Sequence, residues 1–204
     1  MTHTLTQRTA MALAATLLLA TTIPAAAEAQ ARGSARGARV NADGGISAGA
    51  VRARGNGQGQ GVVRARGIYT DGAGNAEAGS AGCASGYSGT ACRGSRTSVG
   101  ADGSVYRRSG AHFETDTASG STYGEFNRNA DGSYYGRRDT SVSGANGNYD
   151  ATTTVDSATG LNRSATASNE NGSVDVQSQY QQGSGGSRTV TCYDAYGNQV
   201  ACPK

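Results

Sequence analysis

Two residue types in this chain, with one histidine, carry the chemistry it can do. Arginine dominates. Arg32, Arg36, Arg39, Arg52, Arg54, Arg64 and Arg66 lie among Gly and Ala with few acids between them. Guanidinium groups spaced this way neutralise phosphates, sulfates or carboxylates through charge-assisted hydrogen bonds. They are the candidate anion-binding residues. Outside a cell the matching acidic polymers are lipopolysaccharide, exopolysaccharide and extracellular DNA. A solvated linker kept soluble by Arg has the same composition. Arg/Gly arms also bind single-stranded nucleic acid, although export would put intracellular RNA out of reach.

Cysteine comes next. Cys83, Cys92, Cys192 and Cys202 form two couples close in sequence. An even count in an exported chain implies disulfides, and four cysteines allow three connectivities. Local pairing is the simplest, because opposed hairpin residues hold their Cα atoms about 4.5–5.5 Å apart, within disulfide reach. Ser85-Gly-Tyr-Ser-Gly89 and Ala195-Tyr-Gly-Asn198 place turn residues between the partners. A shared zinc site fits poorly. Paired zinc cysteines stand two to four residues apart, and here eight and nine residues intervene.

No catalytic residue is assigned. His112 is the only His beyond the leader and lies beside Phe113 and Glu114 in a predicted strand. A nucleophilic site needs a base oriented by a third group, and no such motif surrounds it. Disulfide-bonded cysteines are not nucleophiles. Glu114 and Glu125 are carboxylates that could come together across strands, which sequence does not show, and the plentiful arginines explain them equally well as surface ion pairs. HExxH and Walker patterns are absent. Asp71-Gly-Ala-Gly-Asn75 begins like a calcium loop but lacks the alternating acids and the Glu at the twelfth position. No metal ligand set and no cofactor are assigned, and the chain reads as non-enzymatic.

The elements that position these residues begin with a leader. Residues 2–10 are polar and carry Arg8, Met11 to Ile23 is an apolar run, and Ala27-Glu28-Ala29 fits a small-x-small cleavage site. This is the pattern of a secretory signal peptide over residues 1–29. The apolar run is too short and too Thr-interrupted for a good membrane span, so no span is expected after cleavage. The chain is read as secreted, periplasmic or held at a bacterial cell surface.

Past the leader the apolar inventory is thin. Leu161 is the only Leu, Phe113 and Phe126 the only Phe, and Trp is absent, while Gly reaches 32 residues. Little apolar surface is available to oppose conformational entropy. Over residues 30–100 nine Arg face Asp43, Asp71 and Glu77, a balance of +6; residues 101–204 balance at −3. Residues 30–82 are therefore read as a disordered Gly/Arg/Ala-rich arm of low complexity. Within it Val51-Arg-Ala-Arg-Gly55 recurs as Val63-Arg-Ala-Arg-Gly67. The same segment could also be degenerate strands.

Residues 83–204 form the predicted β-repeat domain, bracketed by the two cysteine hairpins. Asp102-Gly103, Asp131-Gly132, Asn146-Gly147 and Asn171-Gly172 are turns that need positive φ. Between turns the side chains alternate. Tyr149, Ala151, Thr153 and Val155 share one face and Asn148, Asp150, Thr152 and Thr154 the other. Val174, Val176 and Tyr180 oppose Asp175, Gln177 and Gln179, as Val105, Ala111 and Phe113 oppose Arg108, His112 and Glu114. Period-two patterning with regular Gly turns predicts an all-β antiparallel meander, closed as a curled sheet, a roll or a small barrel. Its polar strand edges would permit self-association.

Tyr193-Asp-Ala-Tyr-Gly-Asn198 resembles the core of the tyrosine-aspartate (YD, or RHS-type) repeat of large secreted bacterial shells. Asn148 to Gly160 is a looser echo. Tyr149 to Val200 also resembles short exported proteins of Gram-negative bacteria rich in YD, TG and NG turns. The resemblance covers about a quarter of the chain. It implies an exported β-repeat structure and brings no functional residues with it. Together these readings predict a structural or adhesive protein of the cell surface or extracellular matrix. The alternative is a module that binds an acidic polymer through the Arg-rich arm.

Overall fold

The computed structural model describes residues 31–203; the expected leader lies outside them. In chain order the strands are β1 (Ala31–Val40), β2 (Ile46–Gly55), β3 (Gly61–Thr70), β4 (Ala76–Gly86), β5 (Gly89–Val99), β6 (Val105–Thr115) and β7 (Ala118–Arg128). They continue as β8 (Tyr134–Gly144), β9 (Gly147–Asp156), β10 (Gly160–Asn169), β11 (Gly172–Gln181), β12 (Gly185–Asp194) and the two-residue β13 (Gln199–Val200). Each pairs antiparallel with the next, giving one open 13-stranded meander in sequential order. The all-β meander predicted from the sequence is the fold, in its single-sheet form.

The Arg/Gly segment is not a disordered arm. Residues 31–70 hold β1, β2 and β3 in register with the rest, and the expected boundary after residue 82 falls inside β4. Gly-rich strands have few side chains to set their register. Instead the glycines line up: Gly37 opposes Gly49, Gly49 opposes Gly67, and Gly67 opposes Gly79. The two Val-Arg-Ala-Arg-Gly copies lie opposite each other, with Val51 facing Ala65 and Arg52 facing Arg64.

The turns fix that register. Asn41–Gly45, Gly100–Ser104 and Asn129–Ser133 repeat one design at the same end of the sheet. The central Asp Oδ1 accepts the amide two residues on: Asp43 from Gly45 at 3.0 Å, Asp102 from Ser104 at 2.9 Å, Asp131 from Ser133 at 2.8 Å. Gly44, Gly103 and Gly132 follow with φ of 79°, 82° and 86°, which side chains disfavour. Gly74, Gly103 and Gly132 stand 29 residues apart on one end, as do Gly89, Ala118 and Gly147 on the other. The repeat unit is thus a hairpin of two strands, twice the interval between single turns. Neighbouring turns also bind each other: Ala101 N–H donates to Asn75 Oδ1 at 3.0 Å, and Asn41 Nδ2 to the Thr70 carbonyl at 3.2 Å.

Hardly any core exists. Among the described residues the only buried hydrophobics are Ala165 and Cys192. Ladder hydrogen bonds and cross-strand side-chain pairs hold the sheet, with two disulfide clips. Cys83 bonds Cys92, directly opposite across β4 and β5 with Cα atoms 4.0 Å apart. Cys192 bonds Cys202 with Cα atoms 5.3 Å apart, tying the chain end to β12. The first clip lies three strands in from the β1 edge, so the two do not bracket the sheet.

Candidate functional site

Strict period-two alternation through every turn sorts the charges. Continuous cross-strand rows put Arg32 and Arg36 of β1, Arg52 and Arg54 of β2, and Arg64 and Arg66 of β3 on one face. Arg93 of β5, Arg107 of β6, Arg128 of β7, Arg138 of β8, Arg163 of β10 and Arg188 of β12 share it. Among the described residues the only strand acid of that parity is Asp194, the last residue of β12. Its Oδ1 is taken by the turn, accepting from the amides of Tyr196 and Asn198 at 2.9 Å each. This turn is the YD stretch itself.

Every other strand carboxylate projects from the opposite face: Glu77, Glu114, Glu125, Asp139, Asp150, Asp156 and Asp175. Arg39, Arg96, Arg108 and Arg137 lie among them. Both ion pairs found among the described residues are on this mixed face, Arg96–Glu77 at 2.5 Å and Arg137–Asp139 at 2.8 Å. The hydrogen bond from Arg137, helped by one from Thr152, holds the Asp139 carboxyl below its ordinary range.

Six of the seven arginines predicted to bind anions therefore lie on one face, and Arg39 lies on the other. Arg93, Arg107, Arg128, Arg138, Arg163 and Arg188 were not singled out from the sequence. Finding them needs the register of each ladder, which carries parity from one strand to the next. Glu114 and Glu125 do not meet: Glu114 faces Thr90 and Ser119, while Glu125 stands between Arg108 and Arg137. His112 is exposed on the mixed face, between Cys92 and Ser121. Asp71 is occupied by its own turn, accepting from Ala73 N–H at 2.9 Å, Asn75 N–H at 3.0 Å and Asn75 Nδ2 at 2.6 Å.

The chain matches no family model, and no curated protein or solved structure is similar to it.

From β2 to β8 the arginine face borders an open trough of about 1090 Å³. Arg52, Arg64, Arg66, Arg93, Arg107 and Arg138 line it, with Ser, Thr, Ala and Gly between them. Arg138 is steadied by neutral partners, donating to Ser109 Oγ at 3.1 Å and Thr122 Oγ1 at 3.3 Å. Neither ion pair among the described residues involves it. From β9 to β12 the same face turns apolar, with Tyr149, Val155, Leu161, Val174, Val176 and Val190.

Proposed function

We propose that this chain is an exported, non-enzymatic structural or adhesive protein of a bacterial cell surface or extracellular matrix. The observation that carries this reading is the single open sheet, which offers two broad, chemically distinct faces and almost no core. Such an architecture displays surface, which suits adhesion. The two disulfides support an oxidising compartment, and the leader pattern supports export. Self-association through sheet edges belongs to this reading. β1 has β2 as its one neighbour among the described residues. Arg32, Arg36 and Arg39 on that edge oppose pairing of like copies at low ionic strength.

A second reading, capture of an acidic polymer, is favoured by the arginine face carrying one strand acid among the described residues, the turn-bound Asp194. It is compatible with the first, since adhesion needs something to adhere to. The test of export is expression of the full precursor in a Gram-negative host, followed by fractionation and intact-mass measurement with and without reductant. The expected product lies outside the cytoplasm, begins at Gln30 and carries both disulfides. An unprocessed, reduced chain confined to the cytoplasm would overturn it.

A further inference from the structure

We infer that the arginine face takes a linear acidic polysaccharide, a polyuronate, laid across the strands from β2 to β8. The inference supplies the partner for the adhesive reading and rests on export only for where the two would meet. Its geometry comes from two adjacent cross-strand rows. One runs Arg52, Arg64, Gly82, Arg93, Ala111, Thr122 and Thr140. The other runs Arg66, Ser80, Ser95, Ser109, Gly124 and Arg138. Strands lie about 4.8 Å apart, so six steps make a lane roughly 29 Å long. Cations stand at both ends of it and at β5.

The floor between those cations is hydroxylic. Ser80 Oγ and Ser95 Oγ are 3.2 Å apart, and Ser109 Oγ accepts from Arg138. Hydroxyls donate and accept, as sugar hydroxyls do. Guanidinium forks match carboxylates two bonds at a time. More apolar rows flank the lane, with Val62, Ala84, Ala91, Phe113 and Val142 on one side and Ile68, Ala78 and Phe126 on the other. This arrangement favours a sugar acid over single-stranded nucleic acid, which requires aromatic platforms for successive bases. Phe113 is the one aromatic lining the cavity.

The test titrates the full chain, purified with its disulfides formed, against polygalacturonate, its neutral methyl ester, and duplex DNA. Polygalacturonate should bind, at least about tenfold more weakly at 200 mM than at 50 mM salt, because released counterions drive association. The methyl ester should not bind. R52S/R64S/R66S should weaken binding more than tenfold, whereas R39S/R96S/R108S, with the same loss of charge on the other face, should stay within twofold. R138Q probes the lane with one exposed substitution should the triple variant misfold. Equal losses from both triples, undiminished binding of the methyl ester, tighter binding of duplex DNA, or no binding by the folded chain would each overturn the inference. A chain that binds polyuronate but is never exported would sink the export reading alone.

Discussion

Phe113 lays its ring over Gly120, directly opposite across β6 and β7. A Cβ on Gly120 would come within 2.8 Å of Phe113 Cζ and 3.0 Å of Val142 Cγ2. The sheet thus makes a small packed centre from one aromatic and the absence of a neighbour's side chain. Gly120→Ala should destabilise the protein by about 1–3 kcal/mol through overpacking. Gly136→Ala, where the nearest atoms stand 3.0 Å away on Val155 and 3.1 Å away on Phe126, should cost less. Urea denaturation followed by tyrosine fluorescence measures both, and the opposite ranking would contradict this packing.

The Cys83–Cys92 clip crosses the β4–β5 hairpin inside the sheet, with the partners nine residues apart in sequence. Replacing both by Ser should lower stability by about 2–3 kcal/mol, the loop-entropy value for a ring of that size. Hydrogen exchange should quicken in β4 and β5 and spread to their neighbours. Loss of the Cys192–Cys202 clip should quicken exchange only around β13 and the adjoining end of β12, because β13 pairs through two residues alone.

Several aspartates are held below their ordinary range by the native turns. A side-chain hydrogen bond from Asn75 is the main cause at Asp71, from Ser104 at Asp102 and from Ser133 at Asp131; backbone donation from Asn198 leads at Asp194. A carboxyl whose folded pKa is lowered stabilises the fold above its unfolded pKa, and that stability is lost as pH falls through the folded value. The melting temperature should therefore be level near neutrality and fall once the pH drops below the ordinary carboxylate value of 3.8. Asp131→Asn should flatten that acid limb. A melting temperature that rises on acidification would contradict the linkage.

Arg32, Arg36 and Arg39 guard the β1 edge. Replacing all three by Thr removes like-charge repulsion and raises β propensity, so sedimentation should show larger species at concentrations where the unaltered chain is monomeric. Added salt should move the unaltered chain in the same direction. A variant that stays monomeric at every concentration would show that the edge is protected in some other way.

The readable part of this protein is local. Asp-Gly and Asn-Gly turns, with alternating Tyr149, Ala151 and Val155 or Val174, Val176 and Tyr180, announced hairpins and named the correct faces for β6, β9 and β11. They did so because a turn and the parity of a strand depend on only a few neighbouring residues. The first three strands were harder to read. Gly and Arg carry little intrinsic strand preference, and their order comes from pairing with β4 onward.

Sequence alone determined the residue types, the turn positions and two cysteine couples close enough to clip hairpins. It also determined that a large core could not form, since too few apolar side chains exist to build one. Tertiary structure alone decided that twelve arginines from nine strands stand together while the strand acids, save Asp194, stand behind them. The side to which Arg138 points relative to Arg52 depends on the register of every ladder between them. One slipped residue in any ladder would send the rest to the other face.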